Sequence, residues 1–183
     1  MVFEKSGPAN TEQTLRLACE RGTQLGLQEI VISSSSGRTA YQAIDICKEF
    51  HLTVVTYHCG FKEPFKNIMT DIVRKDLEQK GARVVSATHA LSGVERSIAK
   101  KHQGMYPVLL IADTLRLFGQ GTKVAVEISI MAADAGAISG KDIIAVGGTG
   151  KGVDTALVIQ PANQADIFTR LCIREIICKP RTV

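Results

Sequence analysis

The sequence has no tryptophan, and aromatic residues make up only 5% of it. Stacking platforms for single-stranded nucleic acid need such side chains, so that class of function is disfavoured. No long block of Lys and Arg occurs, only short pairs such as Arg74-Lys75 and Lys100-Lys101, and the net charge is a mild +4. Neither nucleic acid nor a membrane surface is therefore an expected partner. No run approaches the ~18 apolar residues of a membrane span. Met1–Lys5 lacks the apolar core of a signal segment. The five cysteines, Cys19, Cys47, Cys59, Cys172 and Cys178, are odd in number and form no C-x-x-C pair. Neither a disulfide framework nor a metal site is expected from them, and a reducing cytoplasm is the expected location.

What remains is an ordinary globular composition, 45% hydrophobic and 22% charged. The length fits one domain, residues 1–183, with a substantial core. Asn10 and Gln13 suggest a cap for a first helix, stopped by Gly26. Glu29 to Ser33 reads as a first strand, Gly37 to Phe50 as a helix, and Leu52 to Tyr57 as a second strand rich in β-branched residues. Phe65 to Lys80 reads as a helix and Ala82 to Ala87 as a third strand. Ser92 and Glu95 form a capping-box pattern, and Pro107 suits a first helical turn. Gly119-Gln120-Gly121 breaks the pattern before an apolar helix, Val124 to Ala135. Asp142 to Gly147, Asp154 to Gln160 and Cys172 to Cys178 complete the strands. The short connection after Gly147 predicts that the fifth strand runs antiparallel to the fourth. Alternating strands and helices predict an α/β fold, a three-layer α/β/α sandwich on a mainly parallel sheet. Residues 1–9 are expected to be loosely held.

The stretch Ile30 to Ala40 carries the clearest chemistry: a strand, then Ser33-Ser34-Ser35-Ser36-Gly37, then a helix start. A helix start has unpaired N–H groups and a positive dipole end, so hydroxyls and a glycine there can cradle a phosphate. A plain turn with Ser35 or Ser36 as N-cap is the simpler alternative. Gly147-Gly148-Thr149-Gly150-Lys151-Gly152 could let backbone approach a ligand beside a point charge, or serve only as a flexible hairpin turn. Its spacing matches neither a P-loop nor a dinucleotide fingerprint. His58, after the second strand, and His89, after the third, could touch a ligand or move a proton. Cys59 is expected to be inert, and His51 and His102 to lie on the surface. All four segments follow carboxyl ends of predicted strands, the edge where open α/β sheets bind ligands.

The stretch Ser33 to Ala43 resembles the C-terminal α/β domain of pyruvate kinase, where a Ser-Gly-Arg-Ser/Thr-Ala loop holds a phosphate of a sugar bisphosphate effector. The resemblance implies phosphate contacts from the hydroxyls of Ser34, Ser36 and Thr39 and the backbone of Ser35, Gly37 and Arg38. The Gly147–Gly152 turn is similar to a later loop of the same site, although this chain lacks that family's tryptophan. The whole chain is similar to a stand-alone, archaeal-type family of pyruvate-kinase-like α/β proteins. That likeness implies strand order 3-2-1-4-5 with the last strand antiparallel. It also implies flavin mononucleotide (FMN) as cofactor, held by Ser34–Thr39 at its phosphate and by His58, His89 and Gly148, Thr149, Gly150, Lys151 and Gly152 beyond it. No pyruvate kinase activity is expected, because that chemistry sits in a separate barrel domain. Two alternatives stay open: a regulatory domain that binds a sugar phosphate and signals through a homo-oligomer, and an enzyme acting on a phosphorylated metabolite.

Overall fold

A computed structural model describes residues 1–182. Its seven strands are β1 (Val2–Phe3), β2 (Glu29–Ser33), β3 (His51–Thr56), β4 (Arg83–Ser86), β5 (Ile143–Gly147), β6 (Thr155–Gln160) and β7 (Cys172–Pro180). The helices are α1 (Thr11–Gln24), α2 (Arg38–Ile46), α3 (Asp71–Gln79), α4 (Glu95–His102), α5 (Pro107–Arg116), α6 (Gln120–Asp134) and the short α7 (Ile167–Arg170). The strands form one sheet of order β1-β7-β6-β5-β2-β3-β4. β2 pairs in parallel with β3 and β5, and β3 with β4. β6 is antiparallel to β5 and to β7. The predicted order 3-2-1-4-5 is therefore present as β4-β3-β2-β5-β6, and β7 and β1 continue it.

The two-residue period of the strands divides the core. Ile30, Ile32, Ile144 and Val146 face Leu15, Ala18, Ala40, Ala43 and Leu77 of α1, α2 and α3. Val31, Ile143, Ala145 and Leu157 face Ala125, Ile128 and Ala132 of α6. Side chains alternate across a strand, so each strand serves both layers. The chain reverses its direction of travel across the sheet between β2 and β5. Connections there diverge and leave a crevice at the carboxyl ends of the strands.

Several local expectations are corrected. Residues 1–9 are anchored: Val2 and Phe3 pair with Lys179 and Pro180, and the Gly7 N–H donates to the buried Asp154 carboxylate at 2.9 Å. The helix expected from Phe65 starts at Asp71, because Phe65 sits at φ +60° and the Thr70 hydroxyl caps the helix by accepting from the Val73 N–H. The Ser92–Glu95 capping box does not form, since Val94 occupies the cap position without a side-chain bond. Asn10 donates instead to the Lys5 carbonyl. Only Gly119, at φ +107°, interrupts the chain before α6; Gln120 and Gly121 already lie in its first turn. Cys19 and Cys47 form a disulfide between α1 and α2, contrary to expectation. Their separation of 28 along the sequence conceals a pairing that only helix packing creates, and cysteine usage then no longer argues for a reducing compartment. Among the described residues, no helix is long and apolar enough to cross a membrane.

Candidate functional site

β2 hands directly into the serine loop. The Ser34 N–H donates to the Val55 carbonyl at 3.0 Å, which prolongs the sheet by one residue. The Ser34 hydroxyl accepts from the Ala40 N–H at 3.3 Å, so Ser34, rather than Ser35 or Ser36, supplies the cap of α2. The Thr56 hydroxyl donates to the Ser35 carbonyl at 2.9 Å and fixes the loop against β3. Gly37 turns the chain at φ +97°, and a Cβ there would lie 2.5 Å from Val73 of α3. Its job is to bring the loop close to α3. The backbone N–H groups of Ser35, Ser36, Gly37, Arg38 and Thr39 have no partner among the described residues. They are the unpaired donors of a helix start and its approach.

Four residues of this run, Ser35, Ser36, Arg38 and Thr39, border a cavity of about 460 Å³ at the carboxyl edge of the sheet. Ser34, Ser35, Ser36, Arg38, Thr39, His89, Gly148, Gly150, Lys151 and Gly152 line it, while Gly37, His58 and Thr149 do not. Lys62 joins Arg38 and Lys151 as a third lining cation. The glycine-rich turn serves the chain's own packing as well. Cβ atoms on Gly148 and Gly152 would collide with the Gly152 carbonyl and with Thr11 and Pro8 respectively. Only Gly150 of that turn has open space around it.

His89 is half-buried beside a cluster of rings. Its ring centroid lies 5.2 Å from that of His58, 5.0 Å from Phe61 and 5.3 Å from Tyr57. Tyr57 stacks on Phe61 at 4.0 Å, and the Arg96 guanidinium sits over Phe61. His58 uses Nδ1 on its neighbour's carbonyl, Cys59 O, at 2.7 Å. His89 Nδ1 is buried without a partner. Burial pushes the His89 imidazole below the usual histidine range, and the positive neighbours Lys123 and Arg96 and the ring of His58 push the same way. The Glu127 carboxylate pulls against them. The folded protein thus keeps His89 neutral where an unfolded chain would protonate it, so stability falls as pH drops below about 6.5. We expect the urea midpoint of wild type to be lower at about pH 5.5 than at about pH 7.5, and His89→Gln to narrow that gap. An undiminished gap in the variant would assign the pH dependence elsewhere.

The sequence reading missed the wall opposite the sheet. Gln120, Val124, Glu127, Ile128 and Met131, a single face of α6, line the cavity. Glu127 is only 3% exposed, yet it is fully engaged. One carboxylate oxygen accepts from the Leu91 N–H at 3.0 Å, and the other from the buried Lys123 ammonium one turn away. Burial pushes the Lys123 ammonium down from its usual range, against the pull of Glu127. A Lys and a Glu four residues apart inside an otherwise apolar helix were the available signal.

The fold has a hydroxyl-rich loop between a strand and a helix start, on a sheet with the 3-2-1-4-5 core. The family described as "Pyruvate kinase, alpha/beta domain" matches residues 12–159. The chain belongs to that family. The match runs from α1 almost to the end of β6, so the serine loop, the glycine-rich turn and the α6 wall all lie inside it. β7 and β1 lie outside it and extend the family's sheet at one edge.

Proposed function

We propose that the cavity binds a phosphorylated small molecule, with its phosphate on Ser34–Thr39 and the rest of the ligand toward Gly148–Gly152 and His89. The observation that carries this is the run of five adjacent backbone N–H groups, Ser35 to Thr39, without partners among the described residues, in a loop of which Ser35, Ser36, Arg38 and Thr39 line one cavity together with Lys151. FMN is the ligand to test first. The family resemblance supports it, as does a cavity of about 460 Å³ lined in part by Tyr57.

Ser36→Asp places a fixed negative charge in the cradle. Isothermal titration with FMN should show at least a ~10-fold loss of affinity, about 1.4 kcal/mol. A folded Ser36→Asp protein with unchanged affinity would remove the phosphate from this loop. Inorganic phosphate and ribose 5-phosphate, titrated in parallel, separate a general phosphate site from a flavin site. If ribose 5-phosphate binds and FMN does not, the flavin falls and the phosphate site stands.

A further inference from the structure

His89 follows β4, which lies two strands from β2 and its serine loop. Neighbouring strands are about 4.8 Å apart, so roughly 10 Å separates the two along the sheet. Both still border the same cavity. The His89 side chain makes no hydrogen bond among the described residues, and with Nδ1 buried its accessible nitrogen is Nε2. Gln120, in the first turn of α6, also borders the cavity. Its side-chain oxygen accepts from the Arg116 guanidinium at 2.8 Å, which leaves its amide N–H groups free. The Gln120 backbone N–H is likewise without a partner among the described residues. The cavity therefore holds an anion cradle, a neutral base, and hydrogen-bond donors at a second helix start.

We propose that the far end of the cavity is a proton-transfer site for sugar phosphates, in which His89 removes a proton from the carbon next to the carbonyl and Gln120 stabilises the oxygen. The proposal rests on the phosphate reading above, and FMN then competes for the same space. The C–H proton passes to His89 Nε2. The bonding pair moves toward the carbonyl, whose oxygen becomes an enolate oxyanion and accepts from the Gln120 amide. The imidazolium returns the proton to the same carbon or, once the neighbouring hydroxyl has passed its proton to the oxyanion, to the former carbonyl carbon, so no co-reactant is consumed. The roughly 10 Å between β2 and β4 along the sheet suits a sugar phosphate of about five or six carbons better than a three-carbon one. The Lys123–Glu127 pair is a positioning element, which sets a fixed carboxylate behind the imidazole that charges during the reaction.

The test is deuterium incorporation from D2O, followed by proton NMR, with ribose 5-phosphate and fructose 6-phosphate as probes. Wild type should exchange the proton beside the carbonyl in at least one of them. His89→Gln should slow exchange by at least ~100-fold, the lower end of what a positioned base contributes. The same variant should still bind inorganic phosphate, read by phosphorus NMR; His89→Asn serves if the Gln variant does not fold. Glu127→Gln should move the acid limb of the exchange rate to lower pH, because the carboxylate is the group that opposes Lys123, Arg96 and His58 around the imidazole. Wild type that binds phosphate but exchanges neither probe overturns the proton-transfer site alone. Exchange that survives both His89 variants overturns it as well, and failure of wild type to bind inorganic phosphate overturns the phosphate reading beneath it.

Discussion

Glu127→Ala should destabilise the protein by about 3–5 kcal/mol, the usual cost of removing one partner from a buried ion pair. Lys123 and Glu127 are 6% and 3% exposed, so truncating the carboxylate leaves a buried ammonium without its partner. The Leu91 N–H loses its acceptor in the same step. Replacing both partners by apolar residues of similar size, Lys123→Met with Glu127→Leu, should recover most of the loss, because no charge is then left unpaired. Urea denaturation of wild type and the two variants measures this. A cost below about 1 kcal/mol for Glu127→Ala would mean that the pair behaves like an exposed salt bridge.

Gly147→Ala should cost about 1–3 kcal/mol, the range for forcing extra volume into a packed interior. Gly147 ends β5 where α6 crosses it. A Cβ there would overlap the Gly121 carbonyl and come within 2.7 Å of the Ala125 N–H nitrogen. Both belong to the backbone of α6, so neither can swing away. The helix must retreat from the sheet, and Gln120 and Glu127 retreat with it. The same substitution at Gly22 is the control. Its added methyl meets side chains alone, the edge of the Phe50 ring at 2.8 Å and Ile144 at 3.3 Å, and the ring edge can turn. Alanine also favours helix over glycine by nearly 1 kcal/mol, so Gly22→Ala should be close to neutral. Equal losses at the two positions in thermal or urea unfolding would show that backbone proximity is not the deciding factor.

The parallel core was legible because its signals are local. Ile30 to Ile32 and Ile143 to Val146 are short apolar runs bounded by turn residues, and each carries its own evidence of being a strand. The serine loop and the glycine-rich turn were legible for the same reason, and the order of strands brings them to one cavity. What stayed hidden depends on partners remote in sequence. Cys19 meets Cys47 only because α1 packs on α2. Val2-Phe3 is too short to carry a strand pattern and is a strand only because β7 lies beside it. Two glycines that looked like room for a ligand are room for packing, Gly147 against the backbone of α6 and Gly37 against the Val73 side chain of α3. Lys123 and Glu127 looked like interruptions in an apolar helix, and their significance depends on which face of α6 borders the cavity.

The pairing of β1 with β7 gives the molecule an order of assembly. Val2 and Phe3 emerge from the ribosome before every other strand, and their partners Lys179 and Pro180 emerge after all the rest. Closing so long a loop is entropically costly until the intervening sheet has shortened it. The outer edge of the sheet is therefore completed last, and the opening residues wait unpaired while the cavity-bearing half takes shape. Hydrogen exchange should find the same boundary in the finished protein. The amides that join β1 to β7 open first, and those of β2, β3 and β5, at the centre of the sheet, open last.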